Sequence, residues 1–254
     1  MREKFDSAVK KRDELSERRE NAIKEKLEDE IKRFGHEDKA EKWRKYFKTG
    51  KGQYAENDKF IGLEMPEIVS YVNKYMEIDD RQLLELLKSR YHECRSIALS
   101  IMVKRFERAD EEEKKKIFEF YLNNTKCVNN WDLVDISAPV IVGGYLFGKE
   151  GRILERLARS DNLWERRIAI ISTQTFINKG ICKESLEIAE ILLNDSEDLI
   201  HKAVGWTLRE VGKKCGIEKE EEFLQKHFRI MPRTMLRYAI EKFPPEKRDY
   251  YMAK

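Results

Sequence analysis

Small residues recur inside apolar helical segments of this chain at intervals close to the length of a helix pair. The spacings are 40, 31, 36 and 34 residues between Ala98, Ala138, Ala169, Gly205 and Ala239. Three of these residues also follow a basic residue three positions earlier. Repeats of about 20–45 residues are typical of helix pairs that cannot bury their apolar faces alone and therefore stack on their neighbours. The spacing predicts a curved α-solenoid with one concave face.

The apolar residues follow helical periodicity, as in Leu83-Leu84-Leu86-Leu87 and Ile188-Ala189-Ile191-Leu192-Leu193. Only five prolines and twelve glycines interrupt the 254 residues, and 41% of the residues are apolar. We therefore expect an all-α fold large enough to bury a substantial core. The alternative is a set of ordinary helices whose small residues align by chance.

The chain begins with a long, highly charged segment that has few apolar positions. We expect residues 1–35 to form a charged helix or arm, with Gly35 at positive φ as its C-cap, and residues 36–254 to form the repeat domain. The clearest loop is Thr49-Gly50-Lys51-Gly52-Gln53, and a further helix is expected to begin near Pro66, since proline is favoured in a first turn.

Composition excludes several classes of protein. The 51 basic and 48 acidic residues leave a net charge of only +3, so the charges are expected on solvated helix faces instead of in a basic tail. The four cysteines include no CxxC pair and the four histidines no HxxxH pair, so we expect free thiols, no metal and no cofactor. No apolar run approaches the ~20 residues of a membrane span. These features predict a cytoplasmic protein.

The segment Trp131-Asp132-Leu133-Val134-Asp135-Ile136-Ser137-Ala138-Pro139 places an aromatic ring and a carboxylate four residues apart, on one face of a helix. When each small residue is set at zero and each step is 100°, Trp131, Asp135, Trp206 and Arg167 share an arc of about 140°. Trp164 falls outside this arc and is expected in the core. The alternatives are that the tryptophans only pack, and that Asp132 or Asp135 only stabilises a helix N-terminus.

Three blocks, Trp131–Pro139, Ser160-Asp161-Asn162-Leu163-Trp164-Glu165-Arg166-Arg167 and Lys202-Ala203-Val204-Gly205-Trp206-Thr207-Leu208-Arg209-Glu210, resemble the signature blocks of the AlkD-like DNA alkylation repair glycosylases in order and spacing. The resemblance extends upstream to Tyr46-Phe47-Lys48 and covers about residues 38–245. It implies HEAT-like repeats whose concave surface holds duplex DNA. It also implies hydrolysis of the N-glycosidic bond of N3- and N7-alkylated purines.

The resemblance assigns roles residue by residue. Asp135 matches the catalytic aspartate, Trp131 and Trp206 match two site aromatics, Arg167 matches a phosphate-contacting arginine, and Tyr46 matches a tyrosine that flanks the same cleft. Further contacts with DNA phosphates are expected from nearby basic side chains, for which a solvated helix face is the alternative: Arg166, Lys202 and Arg209.

The expected partner is duplex DNA that contains alkylated purines, bound by a monomer that is associated with the nucleoid when it acts. Two other classes remain open. A non-catalytic DNA-binding relative would keep a basic groove without the chemistry, although Asp135 is present. A protein-binding α-solenoid scaffold would have no reason to cluster arginine, tryptophan and aspartate. His92 and His201 are interpreted as packing or surface residues.

Overall fold

The computed structural model describes residues 27–149 and 152–253, and within these ranges the regular elements are helices, without strands. The all-α prediction is therefore confirmed, and the pairing of successive helices is that of an α-solenoid of HEAT-like repeats. The predicted helix over residues 1–26 lies outside the described residues. The chain divides into two compact units, of which the first ends at Ile101 and the second begins at Met102.

The first unit begins with a helical segment at residues 27–32. Four named helices follow, the last of which contains the boundary between the units: α1 (Glu37–Tyr46), α2 (Met65–Lys74), α3 (Asp80–Leu87) and α4 (His92–Arg108). The predicted loop around Thr49–Gln53 is present between α1 and α2, and Pro66 lies in the first turn of α2 as expected.

Gly35 does not adopt the positive φ that we predicted for a C-cap. The helical segment ends at residue 32, and Gly35 donates its N–H to the Lys32 carbonyl at 3.0 Å. A Cβ at position 35 would lie 2.7 Å from both Cγ2 and the carbonyl oxygen of Ile61. Close packing of two chain segments, and not a left-handed backbone, accounts for this glycine.

A buried carboxylate organises the loop before α2. Glu93 is 2% exposed and accepts hydrogen bonds from the backbone N–H groups of Ile61, Gly62 and Leu63 at 2.8–3.4 Å. Gly62 has φ of 91°, and a Cβ there would lie 2.0 Å from the His36 carbonyl oxygen. The loop can turn around Glu93 only because position 62 carries no side chain.

In the second unit, four helices follow one another side by side, each packed on the next. We call them the front row: α6 (Trp131–Ala138), α9 (Leu163–Ser172), α12 (Asp198–Cys215) and α14 (Arg233–Ala239). A back row packs against them: α8 (Arg152–Ala158), α11 (Lys183–Ile191) and α13 (Ile217–His227). The remaining helices are α5 (Glu111–Asn123), α7 (Gly144–Leu146), α10 (Gln174–Asn178) and α15 (Pro245–Met252).

The small residues that defined the repeat are all buried, and Gly205 lies where two helices meet. The four alanines of the series are fully buried. A Cβ on Gly205 of α12 would lie 2.4 Å from the Met235 carbonyl oxygen and 2.6 Å from the Tyr238 Cβ, both on α14. Close approach of neighbouring front-row helices therefore depends on the missing side chain.

Replacing Gly205 should separate α12 from α14. We expect Gly205→Ala to lower the free energy of unfolding by roughly 1–3 kcal/mol, because the new methyl group meets backbone that cannot move aside easily. Urea unfolding measures this change. Lys213→Ala, on an exposed part of the same helix, is the control and should change stability by less than about 0.5 kcal/mol. Equal effects of the two substitutions would contradict the packing assigned to Gly205.

Glu220 of α13 is a buried acid. It is 2% exposed, its Oε2 occupies the space in which a Cβ on Gly212 of α12 would lie, and no hydrogen-bond partner for its Oε1 is found among the described residues. Burial raises the pKa of Glu220 to about 8, the negative charge of Glu221 adds to the rise, and Arg209 opposes it.

The raised pKa of Glu220 predicts a pH-dependent stability. The folded state holds this proton more tightly than the unfolded state, so the contribution is complete below pH 4.5 and is lost as pH rises toward about 8. Glu220→Gln should remove this loss of stability with rising pH, because glutamine does not ionise. Relative to the variant, the wild type should lose about 1.4 kcal/mol per pH unit in this interval. Urea unfolding from pH 5 to 9 measures the difference, and a constant difference would contradict the assignment.

Candidate active site

The first site helix, α6, begins at Trp131 and is capped by Asn130. Asn130 is fully buried in an extended conformation, and its Oδ1 accepts a hydrogen bond from the Trp131 N–H at 2.8 Å. Asp132 lies in the first turn of α6, where a carboxylate stabilises a helix N-terminus, as the alternative open from the sequence allowed. Asp135 therefore lies one turn after Trp131, on the same face of the helix.

A change of helical geometry follows Asp135 directly. Pro139 has no N–H to donate to the Asp135 carbonyl, and residues Pro139–Gly143 form a π-helical turn. Thr175 donates its hydroxyl to the Pro139 carbonyl at 2.5 Å, and a Cβ on Gly143 would lie 2.2 Å from the Ser172 carbonyl oxygen. These contacts fix the end of α6 against the end of α9. Single π-turns within helices are frequent at functional sites.

Arg167 of α9 joins three helices of the front row. Its Nε and Nη2 donate to Oδ1 and Oδ2 of Asp135 at 3.0 and 2.9 Å, which is a bidentate pair. Its Nη1 donates to the carbonyl of Leu199 in the first turn of α12 at 2.8 Å. The side chain of Arg167 is 6% exposed and that of Asp135 is 19% exposed. The carboxylate is thus held rigidly while part of its surface stays open.

Two opposing effects set the pKa of Asp135. Burial raises it, and the charge and hydrogen bonds of Arg167 lower it, while Asp132 adds a smaller rise. The net direction is upward from the ordinary value of 3.8. A carboxylate that is partly desolvated but held by a bidentate cation interacts strongly with a positive charge that develops beside it.

The two predicted site aromatics are both half-buried, whereas Trp164 is buried, as predicted, at 8% exposure. Trp131 shares the Asp135 face of α6, and Trp206 lies on α12, the helix that supplies the Leu199 carbonyl. Both are in the second unit with Asp135 and Arg167. Tyr46 belongs to the first unit, where it is 58% exposed at the end of α1 and packs edge-on against Phe47.

The other basic residues predicted to bind DNA all have acidic partners. Arg166 pairs with Asp195 at 2.6 Å, Lys202 pairs with Asp198 at 2.7 Å, and Arg209 pairs with Glu241. Their side chains are 15%, 37% and 20% exposed, respectively. Lys202 is thus the most accessible of the three.

Several groups that hold the site helices and side chains in place were not predicted from the sequence. The Leu199 carbonyl is a backbone atom and leaves no signature in the sequence. Asn130 and Asn162 could have been found, because each is an Asx residue directly before a helix; Asn162 accepts from the Trp164 N–H at 2.9 Å. Asp195 lies far from Arg166 in the sequence, so only the fold brings these two together.

No group of three or more His, Cys, Asp or Glu side chains is placed to hold a metal ion within residues 27–149 and 152–253. Over the same ranges, no helix has the length and apolar character needed to cross a membrane. The four cysteines are free thiols, as predicted.

Comparison with known proteins agrees with the resemblance carried by the three sequence blocks. The family model for DNA alkylation repair enzymes matches residues 27–243. A solved structure described as a predicted DNA alkylation repair enzyme from Enterococcus faecalis matches with a TM-score of 0.64 and 17% sequence identity, covering 82% of this chain and 96% of that one. At this identity the structural likeness shows the fold alone. A search of curated proteins found no match. Because the family model covers most of its length, the chain belongs to the DNA alkylation repair enzyme family.

Proposed function

We propose that this protein is a DNA glycosylase that hydrolyses the N-glycosidic bond of N3- and N7-alkylated purines in duplex DNA, such as 3-methyladenine and 7-methylguanine. The observation that carries the proposal is the buried, bidentate Asp135–Arg167 pair, whose carboxylate stays partly open one helical turn from the half-buried Trp131. Membership of the alkylation repair family supports DNA repair, and the pair supports this particular reaction.

The chemistry of the substrate explains why one carboxylate suffices. Alkylation at N3 or N7 makes the purine cationic, so the bond to the sugar is already weakened and the leaving base requires no strong general acid. As the bond breaks, positive charge develops on the deoxyribose. Asp135 stabilises that oxocarbenium-like centre and orients or deprotonates the attacking water.

Arg167 keeps this carboxylate in position. With both oxygens of Asp135 bound to one guanidinium, the carboxylate cannot rotate, so little reorganisation is needed when positive charge develops. Arg167 has five N–H donors, and Asp135 and Leu199 use three of them. All three nitrogens of the guanidinium are therefore engaged, and the contact of Arg167 with a DNA phosphate stays a prediction.

The remaining assignments concern two aromatic residues and three further DNA contacts. Trp131 and Trp206 offer π faces to the cationic sugar or base, an interaction of about 0.5–2 kcal/mol for each ring. Lys202, Arg209 and Tyr46 are proposed to contact the DNA, with the basic side chains binding phosphates without regard to sequence. Arg166 stays a prediction as a DNA contact, although its hydrogen bonds lie within the protein.

The second candidate function is non-catalytic binding of DNA. Lys202 and Arg209 serve it as well as they serve a glycosylase. It gives no reason, however, for a buried carboxylate to be fixed by an arginine and left partly open to solvent. Removing that carboxylate separates the two functions.

Asp135→Asn should lower base release by at least about 100-fold, because a neutral amide neither stabilises the developing cation nor activates water. Binding to unmodified duplex should stay within a few-fold of the wild type, because phosphate contacts lie elsewhere. Chromatographic detection of free 3-methyladenine and 7-methylguanine from methylated duplex, with wild type and variant in parallel, measures the first quantity. Fluorescence anisotropy measures the second.

Circular dichroism melting is the control for Asp135→Asn, since the substitution leaves Arg167 buried without its counter-charge. Assays are run well below the melting temperature of the variant. Full activity of a folded Asp135→Asn protein would refute the catalytic assignment. Absence of release by the wild type, with duplex binding intact, would favour the non-catalytic alternative.

Substituting the aromatics should have smaller effects. Trp131→Ala and Trp206→Ala should each lower kcat for base release by about 2- to 30-fold, which corresponds to one lost cation–π interaction. Trp131→Phe and Trp206→Phe should recover part of this loss, because phenylalanine keeps a weaker π face. Unchanged kcat in both alanine variants would show that these rings only pack.

A further inference from the structure

We propose that Arg166 and Asp195 form a positioning pair that fixes the first turns of α12 against α9, and through them the guanidinium of Arg167 on Asp135. This inference rests on the proposed glycosylase function, since it concerns the same site. It assigns Arg166 to the protein scaffold instead of to the DNA.

Four of the five N–H donors of Arg166 are used within the protein. Its Nε and Nη2 donate to the two carboxylate oxygens of Asp195 at 2.6 and 3.3 Å, and its Nη1 donates to the carbonyls of Ser160 and Asp161, each at 3.0 Å. A phosphate that used any of these four donors would have to displace a contact that the protein already makes. The charge is also neutralised by Asp195, whose side chain is only 5% exposed.

Asp195 is in turn attached to the start of α12. Its Oδ1 accepts from the backbone N–H of Glu197, the residue before the helix, at 2.9 Å, and its carbonyl lies 2.5 Å from Nε2 of His201 in the second turn. Any shift of Asp195 therefore carries the first turns of α12 with it. Leu199 lies between these two attachment points.

The two arginines close a ring. Arg166 reaches Asp195, Arg167 reaches the Leu199 carbonyl four residues further on, and the chain from 195 to 199 joins the two acceptors. Consecutive residues of α9 thus hold both ends of one short segment. Loosening the Arg166 end leaves Arg167 with a mobile acceptor, and Arg167 is the group that orients Asp135.

The residue before Arg166 makes a comparable link between α9 and the segment before α6. Glu165 accepts hydroxyl hydrogen bonds from Thr125, in the segment before α6, at 2.7 Å, and from Ser160 at 2.6 Å. The run Glu165-Arg166-Arg167 therefore ties α9 to the segments that precede α6 and α12. This is the arrangement expected of residues that set the relative position of the site helices.

The test combines two substitutions with two readouts that do not depend on catalysis. Arg166→Gln, Asp195→Asn and the double variant are compared with the wild type in urea unfolding, where the effects should be strongly non-additive because each single change removes the same pair.

Binding of unmodified duplex is then measured across a salt series. The dependence of log affinity on log salt should be unchanged in Arg166→Gln, whereas loss of one phosphate contact lowers the slope by about 0.9. Lys202→Gln is the matched comparison for the salt slope, because Lys202 of α12 is proposed to bind a phosphate.

The value of kcat for base release distinguishes a positioning role from a merely structural one. Misplacement of Asp135 should lower kcat for base release by roughly 10- to 100-fold in Arg166→Gln, with KM within a few-fold of the wild type. Arg166→Lys keeps the charge but not the forked donors, so it should resemble Arg166→Gln if Arg166 positions, and the wild type if Arg166 binds phosphate. All assays are run below the melting temperature of each variant. Asp195→Asn should disturb the structure least, because asparagine keeps the size and shape of aspartate.

Additive unfolding effects of Arg166→Gln and Asp195→Asn would overturn the pair. A salt slope lowered by about one phosphate in Arg166→Gln, with kcat intact, would overturn the positioning role and return Arg166 to the DNA contacts. If the wild type releases no base, the proposed function fails, but the unfolding cycle and the salt series still decide whether Arg166 and Asp195 form this pair.

Discussion

The site depends on one buried side chain that bonds to two neighbouring helices. Arg167 donates to Asp135 on α6 and to the Leu199 carbonyl on α12, while it belongs to α9 between them. A charge that is 94% buried is tolerated only if its partners are close and well oriented. The positions of three helices and the orientation of the carboxylate are therefore linked. Repeats that pack closely, through residues such as Gly205, supply the rigid frame that this linkage requires.

Around the Arg167–Asp135 pair, the charged residues fall into two classes with different roles. Arg167 balances the burial of Asp135, and Asp195 balances the charge of Arg166. Lys202 keeps more of its side chain in solvent, although it pairs with Asp198, whose pKa it lowers through a hydrogen bond. Charges fixed inside the protein organise the site, and those that can exchange partners are suited to bind phosphates. Sequence position alone does not distinguish the two classes, since Arg166 and Lys202 each lie three residues before the small residue of their repeat.

Much of the fold was predictable because its determinants are local or periodic. The spacing of Ala98, Ala138, Ala169, Gly205 and Ala239 predicted helix pairs; these residues are buried, and Gly205 lies at a helix contact. Gly35 was predicted wrongly, because the reason for a glycine there is the distant Ile61 and not the local turn. The pairing of Asp135 with Arg167 was not predicted either, although both residues were singled out. Partners 32 residues apart meet only through tertiary packing, which no single sequence pattern records.

Asp135 is a partly desolvated carboxylate: burial raises its pKa, and the guanidinium of Arg167 opposes that rise. The most direct measurement is a pH titration of the Asp135 carboxyl by infrared difference spectroscopy between ¹³C-aspartate-labelled wild type and Asp135→Asn, repeated in an Arg167→Ala background. We predict that the carboxyl of the wild type titrates above the ordinary value of 3.8 and that its pKa rises further when Arg167 is removed. A midpoint at or below 3.8 in the wild type, or one that does not move without Arg167, would contradict the account.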